Sequence, residues 1–287
     1  MNAPPPDHLA HLAHAMATRI ILAGSTGWVG RALVAAVAAS PDLALVGAVA
    51  RGAAGQDAGE AAGGRSLGLK VAGKLADALS VPCDVVIDYT KPDVVKHHAL
   101  AALAHGCHVV IGTSGLSGDD YAKIDTAARE KGRGVVAAGN FSLTATLMRR
   151  FALEAARLVP DVEIIDYASA RKADTPSGTA RELAEMLGEV RHAATSKPVG
   201  ELSGVRETRG GAIGQPTPVQ VHSLRIPSYV LSCEAVFGAD NERLTIRHDA
   251  GSSPTPYVAG TLLAARRVGS FVGLRRGLDA VLVGEGP

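Results

Sequence analysis

The chain reads as an α/β protein: a Rossmann-type parallel sheet domain, then a second α+β domain with a mostly antiparallel sheet. Three observations predict this. Short Val- and Ile-rich runs alternate with helical patterns from Arg19 to Leu158. The first of these runs opens into a glycine turn with the spacing GxxGxxG. Beyond Leu158 the strand candidates lengthen, and three of them follow one another with no helix between, the pattern of antiparallel neighbours.

Arg19–Ala23 is the first buried strand. It runs into Gly24-Ser25-Thr26-Gly27-Trp28-Val29-Gly30 and then a helical stretch from Arg31. Glycine lets backbone approach a pyrophosphate, the helix N-terminus supplies N–H donors, and Gly30 permits close helix–sheet packing. Gly24, Thr26, Gly27, Trp28, Val29 and Gly30 are therefore expected to cradle a dinucleotide. Leu43–Ala50 is the second strand, and its end reads Ala50-Arg51 where an NAD-binding chain carries Asp or Glu. A guanidinium beside a 2′-phosphate makes charge-assisted bonds of about 1.5–3 kcal/mol each, so Arg51 favours NADPH, with NADH also possible.

Asp84–Thr90 is the next strand, and Pro92 suits the first turn of the helix after it. His97 and His98 on that helix are expected to face solvent. The runs from His108 and from Gly134 each end in a turn, Gly112-Thr113 and Asn140-Phe141. Ligands bind beyond the carboxyl ends of strands in open parallel sheets, so Thr90, Gly112, Thr113, Asn140 and Phe141 should line one crevice near a nicotinamide.

A helix from about Leu143 to Leu158 precedes the strand Val162–Tyr167, which delivers the chain into Lys172-Ala173-Asp174-Thr175-Pro176-Ser177-Gly178-Thr179-Ala180. A cation before a proline turn, with hydroxyls and N–H groups at a helix start, makes a receptor for a small carboxylate. Lys172, Ser177, Gly178 and Thr179 are its expected ligands. The segment from about Ser196 to Pro218, rich in Gly, Pro and Thr, reads as a mobile loop. The strands Val219–Arg225, Tyr229–Phe237 and Arg243–His248 follow, with a hairpin turn after Gly238.

Near-equal charge, 29 basic against 28 acidic residues, gives no general attraction to nucleic acid or anionic membrane. Partners are expected to be small molecules and other subunits. Cys83, Cys107 and Cys233 show neither pairing nor metal-ligand spacing, so no disulfide and no metal are expected, and a reducing, cytoplasmic compartment is the simpler assumption. The first seventeen residues read as a frayed extension in which His8, His11 and His14 are not a metal clip.

In this order the motifs resemble the dihydrodipicolinate reductase family. The anchors are Gly24–Gly30, Gln56–Glu60, Asp88–Pro92, Gly112–Gly115, Asn140–Ser142, Lys172–Ala180 and Arg247–Ala250, spread over nearly everything from Arg19 to Leu282. The resemblance implies NADPH-dependent reduction of hydroxytetrahydrodipicolinate, a small cyclic dicarboxylate, in lysine and diaminopimelate biosynthesis. It implies Gly27, Trp28 and Val29 at the pyrophosphate, Arg51 at the ribose phosphate, Gly112 and Thr113 at the nicotinamide ribose, and Asn140 and Phe141 at the nicotinamide edge. It also implies Lys172 as the catalytic lysine, Gly178 and Thr179 on a substrate carboxylate, and a homotetramer built through the second domain. The expected division is an extension over 1–17, a dinucleotide domain over 18–143 and 249–287, and a substrate and oligomerisation domain over 144–248.

One stretch departs from the family. Members carry His-His-Arg-His before the lysine, and the first histidine is taken to donate the proton; here the stretch reads Ala168-Ser169-Ala170-Arg171. A lost acid costs about a hundred- to ten-thousandfold in proton transfer. Three explanations stand open. Lys172 donates the proton if burial beside Arg171 lowers its pKa, or Tyr167, Tyr229 or water does; the substrate is a different cyclic imine or keto acid; or the chain binds nucleotide with little turnover. His222 and His248, inside strand patterns, read as structural, and Cys233 as no nucleophile.

Overall fold

The computed structural model describes residues 17–192, 197, 199–205 and 207–282. Residues 1–16, with the three N-terminal histidines, lie outside them. In chain order the elements are β1 (Thr18–Ala23), α1 (Trp28–Ala38), β2 (Leu43–Val49), α2 (Ala58–Ala61), β3 (Val71–Ala72), α3 (Leu75–Ala78) and β4 (Val85–Asp88). Then come α4 (Pro92–Ala104), β5 (His108–Ile111), α5 (Gly118–Glu130), β6 (Gly134–Ala137), α6 (Leu143–Ala156), β7 (Val162–Ala168) and α7 (Gly178–Val190). The last are β8 (Gly211–Ile213), β9 (Val219–Arg225), β10 (Leu231–Ala239), β11 (Glu242–Ala250), α8 (Thr255–Arg267), β12 (Gly273–Arg276) and α9 (Asp279–Leu282). Two compact units result: residues up to Ser142 together with those from Pro254 onward, and Leu143–Ser253.

The first unit holds a seven-stranded sheet in the order β12-β6-β5-β4-β1-β2-β3, every pairing parallel. Its strands are apolar on both faces because both are covered. Ile20, Leu22, Val85 and Ile87 pack with Leu33 and Val37 of α1 and with Leu262 and Ala265 of α8. Ile21, Val86, Val109 and Ile111 pack with Val95 and Leu103 of α4 and with Ile124 of α5. Each fully buried Ile, Leu or Val contributes roughly 1.5–3 kcal/mol. The strand order reverses between β1 and β4, so the carboxyl ends of these two strands flank the switch point where open α/β sheets bind ligands.

The second unit holds a five-stranded sheet ordered β11-β10-β7-β9-β8. Three of its pairings are antiparallel and β7–β9 is parallel. The parallel pair arises because α7 and the chain behind it cross over between those strands. Residues alternate along β7: Val162, Ile164, Asp166 and Ala168 are buried, while Glu163, Ile165 and Tyr167 are half-buried on the opposite face. The buried face packs on Met148 and Ala152 of α6 and on Leu183 and Leu187 of α7. Ala239 pairs with Glu242, so Asp240-Asn241 is a two-residue hairpin loop, with Asn241 at φ 62°. The segment expected to be a mobile loop instead contributes β8, paired with Val219–Val221 of β9.

Candidate functional site

Each unit carries its own set of ligand-ready groups. In the first, Gly24 lies at φ +85°, a left-handed conformation, and a Cβ there would overlap the Tyr89 carbonyl. A Cβ on Gly30 would overlap the Gly24 carbonyl. The turn is therefore as tight as the glycine spacing predicts. Gly27 caps α1 without a side-chain hydrogen bond, leaving the first-turn N–H groups of Trp28, Val29 and Gly30 for an anion. Thr26 is half-buried in the turn, and its carbonyl accepts from Arg31 Nε at 3.0 Å. Trp28 is exposed, edge-on to Tyr257 with ring centroids 5.7 Å apart.

Arg51 is exposed and opens a turn of 3₁₀ helix directly after β2. Behind it Asp57 caps α2, accepting from Gly59, Glu60 and Leu67 N–H groups and from Ser66 Oγ. The Leu67 N–H foremost among these donors holds the Asp57 carboxyl down at about 2.

Thr90, Gly112 and Thr113 come together at the ends of β4 and β5. Asp88, buried at the end of β4, accepts from Thr90 N at 2.9 Å, Thr90 Oγ1 at 2.6 Å and Thr113 Oγ1 at 3.0 Å. Gly112 leaves room for the Tyr89 ring, which a Cβ would overlap. Burial pushes the Tyr89 hydroxyl well up, and it pairs with Thr261 Oγ1 at 2.6 Å. Asn140 is buried, with Oδ1 accepting from Ser142 N at 2.8 Å. Phe141 departs from expectation. The residue is 1% exposed, its ring in the core 6.1 Å from Tyr89 and its carbonyl packed against Gly260, so its side chain does not face a ligand. His98 is a second departure: its Nδ1 lies 2.7 Å from Asp88 Oδ2 rather than in solvent.

In the second unit Lys172 Nζ pairs with Asp174 Oδ1 at 2.7 Å, its side chain 28% exposed, and is not buried against Arg171. Ser177 caps α7, and Gly178 and Thr179 are half-buried in its first turn. The Ser177 side chain is not available to a ligand. It is fully buried, its Oγ donating to Asp166 Oδ1 at 2.6 Å and accepting from Ala180 N at 3.3 Å. Asp166, also fully buried, takes the Ser177 N–H at 2.9 Å, Ser223 Oγ at 3.1 Å and Arg225 at 2.7 Å. The same Arg225 nitrogen donates to the Asp174 carbonyl at 2.9 Å. One buried ion pair thus fixes both ends of the Asp174–Ser177 turn.

The sequence named neither Asp88 nor Asp166 as an organiser. The available signal was an acid inside an apolar strand run, because a buried carboxylate requires partners.

The alternative proton donors fare differently. Tyr167 points to the sheet face opposite Asp166 and donates to Glu234 at 3.0 Å. Burial, then that bond, raises its pKa, so it is removed from the Ser177 side of the sheet and is a poor acid. Tyr229 stacks on Tyr167 at 5.1 Å. His222 bonds Glu163 at 2.7 Å and His248 bonds Thr144 at 3.1 Å. Burial lowers the His248 pKa, and burial raises that of Cys233 to about 12, leaving it an unreactive thiol. Among the described residues no His, Cys, Asp and Glu group is placed to hold a metal.

A glycine cradle at the first turn of a doubly wound sheet, with polar crevice residues at its switch point, defines a nicotinamide-dependent oxidoreductase of the Rossmann type. Two family models match, dihydrodipicolinate reductase N-terminus over residues 18–141 and C-terminus over 144–282. The chain belongs to the dihydrodipicolinate reductase family. It is 36% identical over 270 residues to the 4-hydroxy-tetrahydrodipicolinate reductase of Synechococcus elongatus, covering 92% of this chain and 98% of that one. It is 36% identical over 266 residues to the enzyme of the same name from Desulfitobacterium hafniense, covering 92% and 98%. A dipicolinate-bound dihydrodipicolinate reductase from Paenisporosarcina sp. TG-14 superposes with a TM-score of 0.72 at 27% identity, covering 93% of this chain and all of that one. An amine dehydrogenase from Mycobacterium smegmatis, at 15% identity and a TM-score of 0.65, shares the fold.

Proposed function

We propose that this chain reduces 4-hydroxy-tetrahydrodipicolinate to tetrahydrodipicolinate with NADPH, the reductive step its relatives' names describe. The observation that carries the reading is the Lys172–Thr179 segment, held by Asp166 and Arg225 so that a lysine and the first turn of α7 lie at the two ends of one fixed turn. The glycine cradle and the uncapped start of α1 fit a dinucleotide pyrophosphate, and Arg51, with no acid at the end of β2, supports NADPH over NADH. A bound NADPH supplies the hydride.

The protein's own groups do the rest. Gly178 and Thr179 N–H groups orient a substrate carboxylate, and Lys172 stabilises charge that develops on the reacting C–N unit. With Ala168 and Ser169 in place of imidazoles, the proton comes from Lys172 or from water that Lys172 orients. A homotetramer joined through the open face of the five-stranded sheet, which presents Ile165, Leu224 and Val236, belongs to the same proposal, as does a cytoplasmic setting.

A second reading, a cyclic imine with a different tail, is favoured by one observation. Ile226 N–H donates to the Ala168 carbonyl at 3.2 Å, so the apolar Ile226-Pro227 segment adjoins the position where the family carries histidine. Oxidation of NADPH, and of NADH in parallel, with substrate generated by its synthase, tests both readings. Turnover favouring NADPH is expected. Tight NADPH binding without turnover on this substrate, and turnover on another imine, would establish the second.

A further inference from the structure

The Asp88 carboxylate is 1% exposed at the carboxyl end of the central strand β4, with neither lysine nor arginine among its bonded partners. Its two oxygens face different elements. Oδ1 takes Thr90 N, Thr90 Oγ1 and Thr113 Oγ1, from the turns after β4 and β5. Oδ2 takes His98 Nδ1 at 2.7 Å, from the second turn of α4. An ionised carboxylate only accepts, so both threonine hydroxyls and the imidazole Nδ1 must donate to it. The hydroxyl protons of Thr90 and Thr113 are thereby committed inward, and their lone pairs are what remains for a ligand.

We propose that the Asp88–His98 dyad sets Thr90 and Thr113 as a pair of hydrogen-bond acceptors that recognise N–H and O–H donors on the nicotinamide-riboside half of the cofactor. This rests on the dinucleotide reading of the first unit. The donors of that half are the ribose hydroxyls and the carboxamide N–H₂, and two fixed acceptors select for them. His98 touches no ligand and acts as a positioning residue. Without it Oδ2 of a buried carboxylate loses its partner, and the carboxylate must turn to reach another donor. That turn releases the threonine hydroxyls to rotate and blurs the acceptor pair.

The test compares a whole dinucleotide with a fragment of it. His98→Leu removes the donor, whereas His98→Asn keeps an N–H donor near the same place. Binding of NADPH is followed by its fluorescence and that of 2′,5′-ADP, which lacks the nicotinamide riboside, by calorimetry. His98→Leu should weaken NADPH about tenfold and leave 2′,5′-ADP unchanged, with His98→Asn within about threefold of the parent chain. Thr113→Val, which removes one acceptor and leaves the dyad in place, should show the same selective loss even if His98→Leu does not fold. Unchanged NADPH affinity in His98→Leu and Thr113→Val, or an equal loss for the fragment, overturns the proposal. A parent chain that binds neither NADPH nor NADH overturns the dinucleotide reading itself, and with it this inference.

Discussion

The two ligand-bearing regions are organised alike and equipped differently. In each, a buried aspartate in the C-terminal half of a strand ties down the turns beyond it: Asp88 holds Thr90 and Thr113, and Asp166 holds Ser177. Asp88 is satisfied by hydroxyls, a backbone N–H and an imidazole, whereas Asp166 is satisfied by two serines and a guanidinium. A permanently charged partner makes the second arrangement the more rigid and the more costly to break. The substrate region carries Lys172 beside the turn that Asp166 and Arg225 hold, and Ala168-Ser169-Ala170-Arg171 ahead of it contains no histidine. On the proposed reading, positioning and proton supply are therefore separable in this fold.

The largest expected effect lies in the substrate region. Lys172→Ala should lower kcat about a thousandfold, or roughly 4 kcal/mol, with NADPH affinity near normal. Steady-state kinetics beside direct cofactor titration separates the two, and a collapse of cofactor binding would break the division of labour. Next, Arg225→Ala leaves Asp166 buried without its cation, a loss of about 3 kcal/mol or more in stability, seen as a lower Tm. The corresponding change in the cofactor region, His98→Leu, should lower Tm less, because no permanent charge is removed.

Smaller again is the change at the end of β2. Arg51→Ala should cost about 1.5–3 kcal/mol in NADPH binding, roughly ten- to a hundredfold, and leave NADH binding within a few-fold, as read from the two KM values. The smallest effect concerns Asp57 behind Arg51. Its folded-state pKa, about 2, lies below the value of an unfolded aspartate, near 3.9, so its contribution to stability is complete above about pH 4 and is lost as pH falls through about 2. Asp57→Asn should lower Tm modestly at pH 7 and flatten its fall over that window, so that the variant and the parent chain converge as the pH approaches 2.

Much of this was legible in the sequence for physical reasons. Val- and Ile-rich runs beside glycine turns mark parallel strands whose both faces are buried, and Pro92 at the start of α4 sits where a missing N–H costs nothing. β3, with two residues, and β8, with three amid Gly and Pro, carry too little pattern to register. The parallel β7–β9 pair was hidden because its partners are separated by a helix and a long connection. In the sites, the glycines are readable because backbone geometry is local. The Ser177 hydroxyl and Phe141 read as ligand groups because their partners are not local: Asp166 lies eleven residues from Ser177, and the Phe141 carbonyl packs against Gly260. Arg225 meets Asp166 across 59 residues, a contact that only the folded sheet creates.

On the proposed reading the Lys172 segment supports hydride transfer from NADPH without an imidazole acid, and the pH dependence of kcat is the measurement to make. Between about pH 5.5 and pH 8, where an ordinary histidine titrates, kcat should show no step near 6.5. A step there that disappears in His248→Gln or His222→Gln would contradict that reading, by showing that a histidine outside the Ala168–Arg171 stretch has taken the acid's place.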